Sequence, residues 1–193
     1  MKNRELKPWQ ILESKEVFQA PPWIRISRQK IRLPDGRVVD DYHQIRLNDF
    51  AVIVAQTPGG KILVERQYRH GIGGVTLLLP AGALKDGEDA LLAAQRELQE
   101  ETGYVSDDWQ FLGRFTVSAS YGISTMSLFT ARGIRKISAP DSGDLEEMEI
   151  LLMSPGELQA AIRDGKMSAM SSAAAFALAT HPEIFPPDKS QKP

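Results

Sequence analysis

The stretch GALKDGEDALLAAQRELQEETGY, Gly82 to Tyr104, constrains the rest of the chain more than any other. Asp89 stands where a helix cap belongs and Gly103 where a left-handed stop belongs, so the spacing predicts a helix running to about Thr102. Leu91, Ala94 and Leu98 recur at helical spacing and form its buried stripe. Glu97, Glu100 and Glu101 stand at i, i+3 and i+4. Their carboxylates therefore crowd on an adjoining face, where mutual repulsion raises their pKa values unless a cation joins them. A hard divalent ion is the simplest such partner, because Mg²⁺ prefers oxygen ligands and bridges carboxylates to substrate phosphates. Arg96 lies one turn before Glu100 and within reach of Glu88, so its work is to hold carboxylates in position. An acidic helix face taken alone is ordinarily just solvated, and the pattern around it has to carry the argument.

That helix needs a sheet to pack on, and the flanking sequence supplies one. "DFAVIVAQ" and "KILVERQYR", joined by Thr57-Pro58-Gly59-Gly60, read as core strands from about residue 48, and "VTLLLPAG" delivers the chain into the acidic segment. "FLGRFTVS" and "MSLFTARGI" form a further pair around the loop "ASYGIST", and "EMEILLM" is a late strand. Ser154 caps a helix beginning at Pro155, and "SSAAAFALATHPEIF" reads as a closing helix. Ahead of the core, "PWIRISRQKIRL" and "RVVDDYHQI" flank Pro34-Asp35-Gly36 and predict a β-hairpin arm. The organisation expected is a β-rich arm over 1–47, a globular domain over 48–184 and a flexible tail over 185–193.

Bulk properties exclude several function classes. A net charge of -2 gives no positive field for nucleic acid or anionic membrane. The absence of cysteine removes thiolate nucleophiles and Cys-based zinc sites. His43, His70 and His181 have no motif around them, which argues against a covalent mechanism. The opening MKNRELKPWQILESKEVF has no unbroken apolar run, so neither a signal sequence nor a membrane span is expected, and the expected compartment is the cytoplasm.

Position by position, Gly82, Glu88, Arg96-Glu97, Leu98, Glu100-Glu101, Gly103 and Tyr104 resemble the Nudix box. The resemblance implies an α/β fold, the Nudix α/β/α sandwich, with a mixed sheet between the acidic helix and the late helices and an N-terminal β-hairpin arm. It implies Glu97 and Glu101 as the main metal ligands, Glu100 as an additional ligand or base, the carbonyl of Ala81 as another ligand, and Mg²⁺ as the ion, with Mn²⁺ as a substitute. The ending EETGY resembles the ADP-ribose pyrophosphatase branch. In that branch the strand ahead of "LPAG" supplies an arginine to the diphosphate, which points to Arg69, with Arg66 the weaker candidate because the two need not share a strand face.

The same resemblance implies an intertwined homodimer built by the arm, with Trp23 and Tyr42 as candidates to stack on the base, and a loop glutamate that orients or deprotonates water. Glu146 aligns best with that glutamate, with Asp144 and Glu147 as alternatives. The sequence departs from the branch at Ser120-Tyr121-Gly122, where a proline is replaced by Tyr121 and an acidic pair further on by Thr125 and Met126. The preferred sugar is therefore left open, and Tyr121 is a candidate to shape that end of the pocket. The expected substrate is a small-molecule nucleoside diphosphate derivative: ADP-ribose, a related nucleotide sugar, or else a dinucleoside polyphosphate or NADH. The rival from another class is a Nudix-fold nucleotide sensor that binds without cleaving.

Overall fold

The computed structural model describes residues 6–141, 147–181 and 183–184. In chain order the elements are β1 (Gln10–Ala20), β2 (Ile24–Arg32), β3 (Val38–Arg46), β4 (Phe50–Gln56), β5 (Ile62–Arg69), β6 (Gly74–Leu78), β7 (Ala81–Ala83) and α1 (Ala90–Thr102). They continue with β8 (Tyr104–Val105), β9 (Asp108–Val117), β10 (Ser124–Arg132), β11 (Arg135–Lys136), β12 (Met148–Met153), α2 (Pro155–Arg163) and α3 (Met170–Ala179). Two compact units result. The first ends at Asn48 and takes in Thr116–Thr125; the second covers Asp49–Phe115 and resumes at Met126.

In the second unit a mixed sheet follows the order β12-β5-β4-β10-β9, with β6 paired to β5 and β7 to β4. β10 runs parallel to β4, whereas β12 is antiparallel to β5. Period-two alternation gives β4 two apolar faces. Ala51, Ile53 and Ala55 join Leu63, Phe129 and Ala131 in one cluster with Ala90, Ala94 and Leu98 of α1. Val52 and Val54, equally buried, point the other way, and α3 also packs on β4. This is the expected sandwich, and a strand covered on both faces has to read as a continuous apolar run, as FAVIVA does. Burying one side chain such as Leu98 contributes about 1.5–3 kcal/mol. Leu91 of the expected stripe is only half-buried against this core, and Ala93 is buried instead.

The sheet departs from regular pairing at its centre. β4 and β5 pair at Gln56↔Ile62 and then part. The gap is filled by β6, which pairs along Glu65–Arg69, and by β7, which pairs along Phe50–Val52. Between them, the carbonyl of Pro80 accepts from the Ile53 N–H at 2.9 Å. Ala81 is thereby fixed beside the start of β4, directly in front of the loop that enters α1.

The helix ends behave as the residues dictate. The Asp89 side chain accepts from the Leu91 and Leu92 N–H groups, and Gly103 closes α1 at φ 74°. Ser154 and Glu157 form a reciprocal capping box on α2, with Pro155 in its first turn. In the first unit the expected hairpin is present as β2 and β3, and a third strand, β1, pairs antiparallel with β2. The β1 sequence QILESKEVFQA mixes charged and apolar residues and is exposed along its length as far as Gln19, so it offers no one-sided pattern to read. No helix among the described residues is long and apolar enough to cross a membrane.

Gly103 carries two constraints at once. Its positive φ disfavours a side chain, and a Cβ there would overlap the backbone carbonyl oxygen of Ser138, which cannot swing away as a side chain can. Gly103→Ala should cost about 2 kcal/mol or more, which lowers Tm by about 4–8 °C for a chain of this size. A thermal melt within 1–2 °C of the parent would refute this account of the helix stop.

Candidate active site

Two carboxylates one helical turn apart reach the same short piece of backbone. The N–H of Ala81 donates to Glu101 Oε2 at 3.1 Å. The Glu97 carboxylate lies so close to Gly82 that a Cβ on residue 82 would overlap it. Glycine at 82 is therefore a matter of space, since its φ is not in the left-handed region. Glu101 is buried at 6% exposure, which an isolated carboxylate would not tolerate.

Arg96 organises the other acids. Its Nε and Nη2 donate to the two oxygens of Glu88 at 2.9 and 3.0 Å, a bidentate pair. Its Nη1 donates to Glu97 Oε1 at 2.6 Å and Glu100 Oε2 at 3.1 Å, and Nη2 reaches the Ala83 carbonyl at 3.2 Å. Glu88 also accepts from the Lys85 N–H at 2.8 Å. These bonds from Arg96 and Lys85 pull the Glu88 carboxyl down to about 2 from its ordinary 4.5. The three acids around it hold Arg96 in its charged form. Burial pushes the Glu97 carboxyl up despite its bond to Arg96.

Among the described residues no three His, Asp or Glu side chains already form a ligand set, and Glu97 and Glu100 are turned toward Arg96. The donor chemistry nonetheless fits a hard divalent ion. Glu97, Glu101 and the Ala81 carbonyl offer oxygens alone, and the space a Cβ would fill at Gly82 is taken by the Glu97 carboxylate.

The remaining candidates are spread wider. Arg69 closes β5, half-buried. Alternation sets it on the face of Leu63, under α1, and sets Arg66 on the opposite face, where Arg66 pairs with Glu149 at 3.1 Å in an exposed ion pair. Glu146 and Asp144 lie outside the described residues; Glu147 is exposed just before β12. On the near side of that gap, the Asp141 N–H donates to the Glu100 carbonyl at 2.7 Å, which ties the chain to the end of α1.

In the first unit Tyr42 donates its hydroxyl to the Ser120 carbonyl, and Trp9 meets its ring edge-on at 5.8 Å. Trp23 stands 74% exposed in the turn before β2, and Tyr121 is also exposed. The register pairs Gln29 with Tyr42 and Arg25 with Arg46, so Trp23 and Tyr42 are about 20 Å apart along the sheet. One chain does not bring both to a single base. The sequence reading missed Trp9, whose exposed setting gives no periodic signal, and the buried pair Glu65 and Gln67. Counting back by twos from Arg69 would have found that pair.

Comparison with known proteins bears on the family and the fold. A model described as NUDIX domain matches residues 46–170, and one described as nucleoside diphosphate sugar hydrolase N-terminal domain matches residues 9–45. The chain is 30% identical over 125 residues to the methanol dehydrogenase activator of Bacillus methanolicus, covering 65% of this chain and 66% of that one. It is 30% identical over 130 residues to an ADP-ribose pyrophosphatase of Mycobacterium tuberculosis, covering 67% and 62%. It is 27% identical over 151 residues to an ADP-ribose pyrophosphatase of Bacillus subtilis, covering 78% and 80%. For the first two, the match spans just under two thirds of the relative's length. A solved ADP compounds hydrolase superposes with a TM-score of 0.79 at 19% identity, over 92% of this chain and 95% of that one, which establishes the shared fold.

The Glu88–Arg96 pair yields a pH prediction. Glu88 has a depressed folded pKa, so its stabilisation is complete above the unfolded value of 4.5 and is lost as pH falls toward about 2. The Tm difference between parent and Glu88→Gln should be constant from neutral pH down to about 5 and shrink below about 4.5. A difference that stays constant down to pH 3 would show that Glu88 contributes nothing through its charge.

Proposed function

The chain belongs to the Nudix family, and on that premise we propose that it is a pyrophosphohydrolase that cleaves the diphosphate linkage of ADP-ribose or a related nucleoside diphosphate sugar. The products are a nucleoside monophosphate and a sugar phosphate. The observation that carries this reading is the convergence of Glu97 and Glu101 on Ala81–Gly82, with residue 82 kept free of a Cβ. Those carboxylates and the Ala81 carbonyl would hold Mg²⁺, with Mn²⁺ as a substitute. Bound there, a divalent ion supplies neutralisation of phosphate charge and a more acidic water.

The chain's own residues divide the remaining work. Arg96 keeps Glu88, Glu97 and Glu100 oriented, so little reorganisation is needed at the moment of reaction. Arg69 offers a planar fork to the diphosphate. Glu146 takes a proton from water as the water oxygen bonds to phosphorus and the bridging P–O bond breaks. Its support is the sequence match, together with the tether of Asp141 to the end of α1 shortly before it. Glu100, at the exposed edge of the acidic cluster, is the alternative base.

The assembly in this reading is a homodimer formed through the first unit. β1 leaves Ile11, Val17 and Phe18 about half exposed, as is Trp9 just before it, with an outer edge unpaired among the described residues, and Trp23 is largely exposed. Such an apolar edge strand ordinarily has a partner. A second copy would also supply the Trp23 that one chain does not bring to Tyr42.

Three variants test the site. Glu101→Gln should lower Mg²⁺-dependent hydrolysis by about 10²–10⁴-fold, since a lost metal contact removes several kcal/mol of transition-state stabilisation. Gly82→Ala should keep the fold, because the Glu97 side chain can swing aside, yet weaken Mg²⁺ binding. Glu146→Gln should bind metal and substrate like the parent and turn over far more slowly. Near-parental rates in Glu101→Gln would overturn the site; in Glu146→Gln they would shift the base to Glu100. Sedimentation at micromolar concentration should give a dimer, and a fully active monomer would remove the arm's proposed role.

A further inference from the structure

Gln67 is 1% exposed, and neither Oε1 nor Nε2 of its amide has a hydrogen-bond partner among the described residues. A buried polar group without a partner is destabilising, whereas an apolar side chain of the same length would fill the space at no such cost. The nearest cross-strand hydroxyl does not relieve it. Thr76 sits directly opposite Gln67, but its Oγ1 is engaged with the Lys166 carbonyl at 3.1 Å and Ser168 Oγ at 3.0 Å.

The strand register says where this amide lies. Leu63, Glu65, Gln67 and Arg69 alternate onto one face of β5, and Leu63 belongs to the core beneath α1. Glu65 stands opposite Leu78, three residues before Ala81, whose N–H holds Glu101. The row therefore leads from the neighbourhood of the acidic helix out to Arg69. Gln67 occupies the last step, with its Cα about 6.6 Å before that of Arg69.

We propose that Gln67 is a substrate-binding residue that holds the ligand between the Ala81–Glu101 corner and Arg69, with Nε2 donating to a phosphate oxygen and Oε1 accepting from a sugar hydroxyl. This rests on the hydrolase reading and narrows its substrate. An ionised phosphate offers acceptors alone and would satisfy only Nε2. The Oε1 atom needs a donor close by, so the amide fits a phosphate ester with a hydroxylated sugar next to the phosphate better than a bare polyphosphate chain.

The test is Gln67→Met, with Gln67→Leu as a second apolar variant. Three quantities are read on the folded protein: Tm, kcat/KM for ADP-ribose with Mg²⁺, and the affinity for the α,β-methylene analogue of ADP-ribose titrated without metal. Tm should hold or rise as two unpartnered polar atoms disappear. Analogue affinity and kcat/KM should each fall by about tenfold or more, the scale of a lost hydrogen bond to a charged group. Affinity and kcat/KM kept within about threefold of the parent would overturn the proposal, and a lowered Tm with affinity kept would identify a purely structural amide. A parent that neither binds nor cleaves any nucleoside diphosphate sugar would overturn the hydrolase reading and this inference with it; a parent that does both, matched by the variants, overturns this inference alone.

Discussion

The Arg96 guanidinium is the interaction on which the acidic corner depends. Glu88, Glu97 and Glu100 would repel one another if left to themselves, and Glu97 is sufficiently buried that its charge is costly. One cation with five donors satisfies all three carboxylates and the Ala83 carbonyl. A lysine could not do this, because the fork toward Glu88 and the second reach toward Glu97 and Glu100 require separate, fixed N–H directions. The arrangement links the loop after β7 to the second and third turns of α1, so the loop and the helix move as one piece. Glu101 is left to bond the Ala81 N–H.

That corner exists only because the sheet opens. Were β4 and β5 paired along their full length, no chain could run between them, and Ala81 would have nowhere to present its backbone to α1. The β6–β7 segment fills the opening with its own ladders on both sides, so the backbone remains satisfied while the strands diverge. The same opening ranks the residues of β5. Those on the α1 face become more polar toward the open end, from Leu63 through Glu65 and Gln67 to Arg69. A strand buried at its start and polar at its end is poorly suited to stability and well suited to lining a ligand site.

Legibility in the sequence depends on how local each feature is. The limits of α1, its cap at Asp89 and its stop at Gly103 rest on residues within a few positions, and the structure has them where the spacing predicted. The clustering of Glu97, Glu100 and Glu101 is likewise a property of one helix. Long-range pairings were less readable. Nothing in QILESKEVFQA marks it as a strand until its partner is known, because its stability comes from β2 rather than from a buried face of its own. The separation of about 20 Å along the sheet between Trp23 and Tyr42 is set by register, which single residues do not encode. Gln67 escaped notice for a related reason, since a glutamine on a strand looks exposed until both of its neighbours are in place.

The turn after β9 shows how a departure from a familiar pattern can be physically closed. The Tyr121 N–H donates to the Ser118 carbonyl at 3.1 Å, the Gly122 N–H to the same oxygen at 2.8 Å, and Ile123 returns to Val117 at 3.2 Å. Ser118 adopts φ 59°, an unfavourable value for a residue with a Cβ, and the surrounding bonds have to offset it. A proline at 121 has no N–H to give, so the residue expected there by resemblance would remove one of the bonds that hold this turn. The segment is fixed from outside as well, through the Tyr42 hydroxyl on the Ser120 carbonyl and the Leu47 N–H on the Ile123 carbonyl. Tyr121 is thus part of a different backbone solution, with its ring left exposed at the surface. Sugar preference inferred from proteins that carry proline at this point has no support in such a turn.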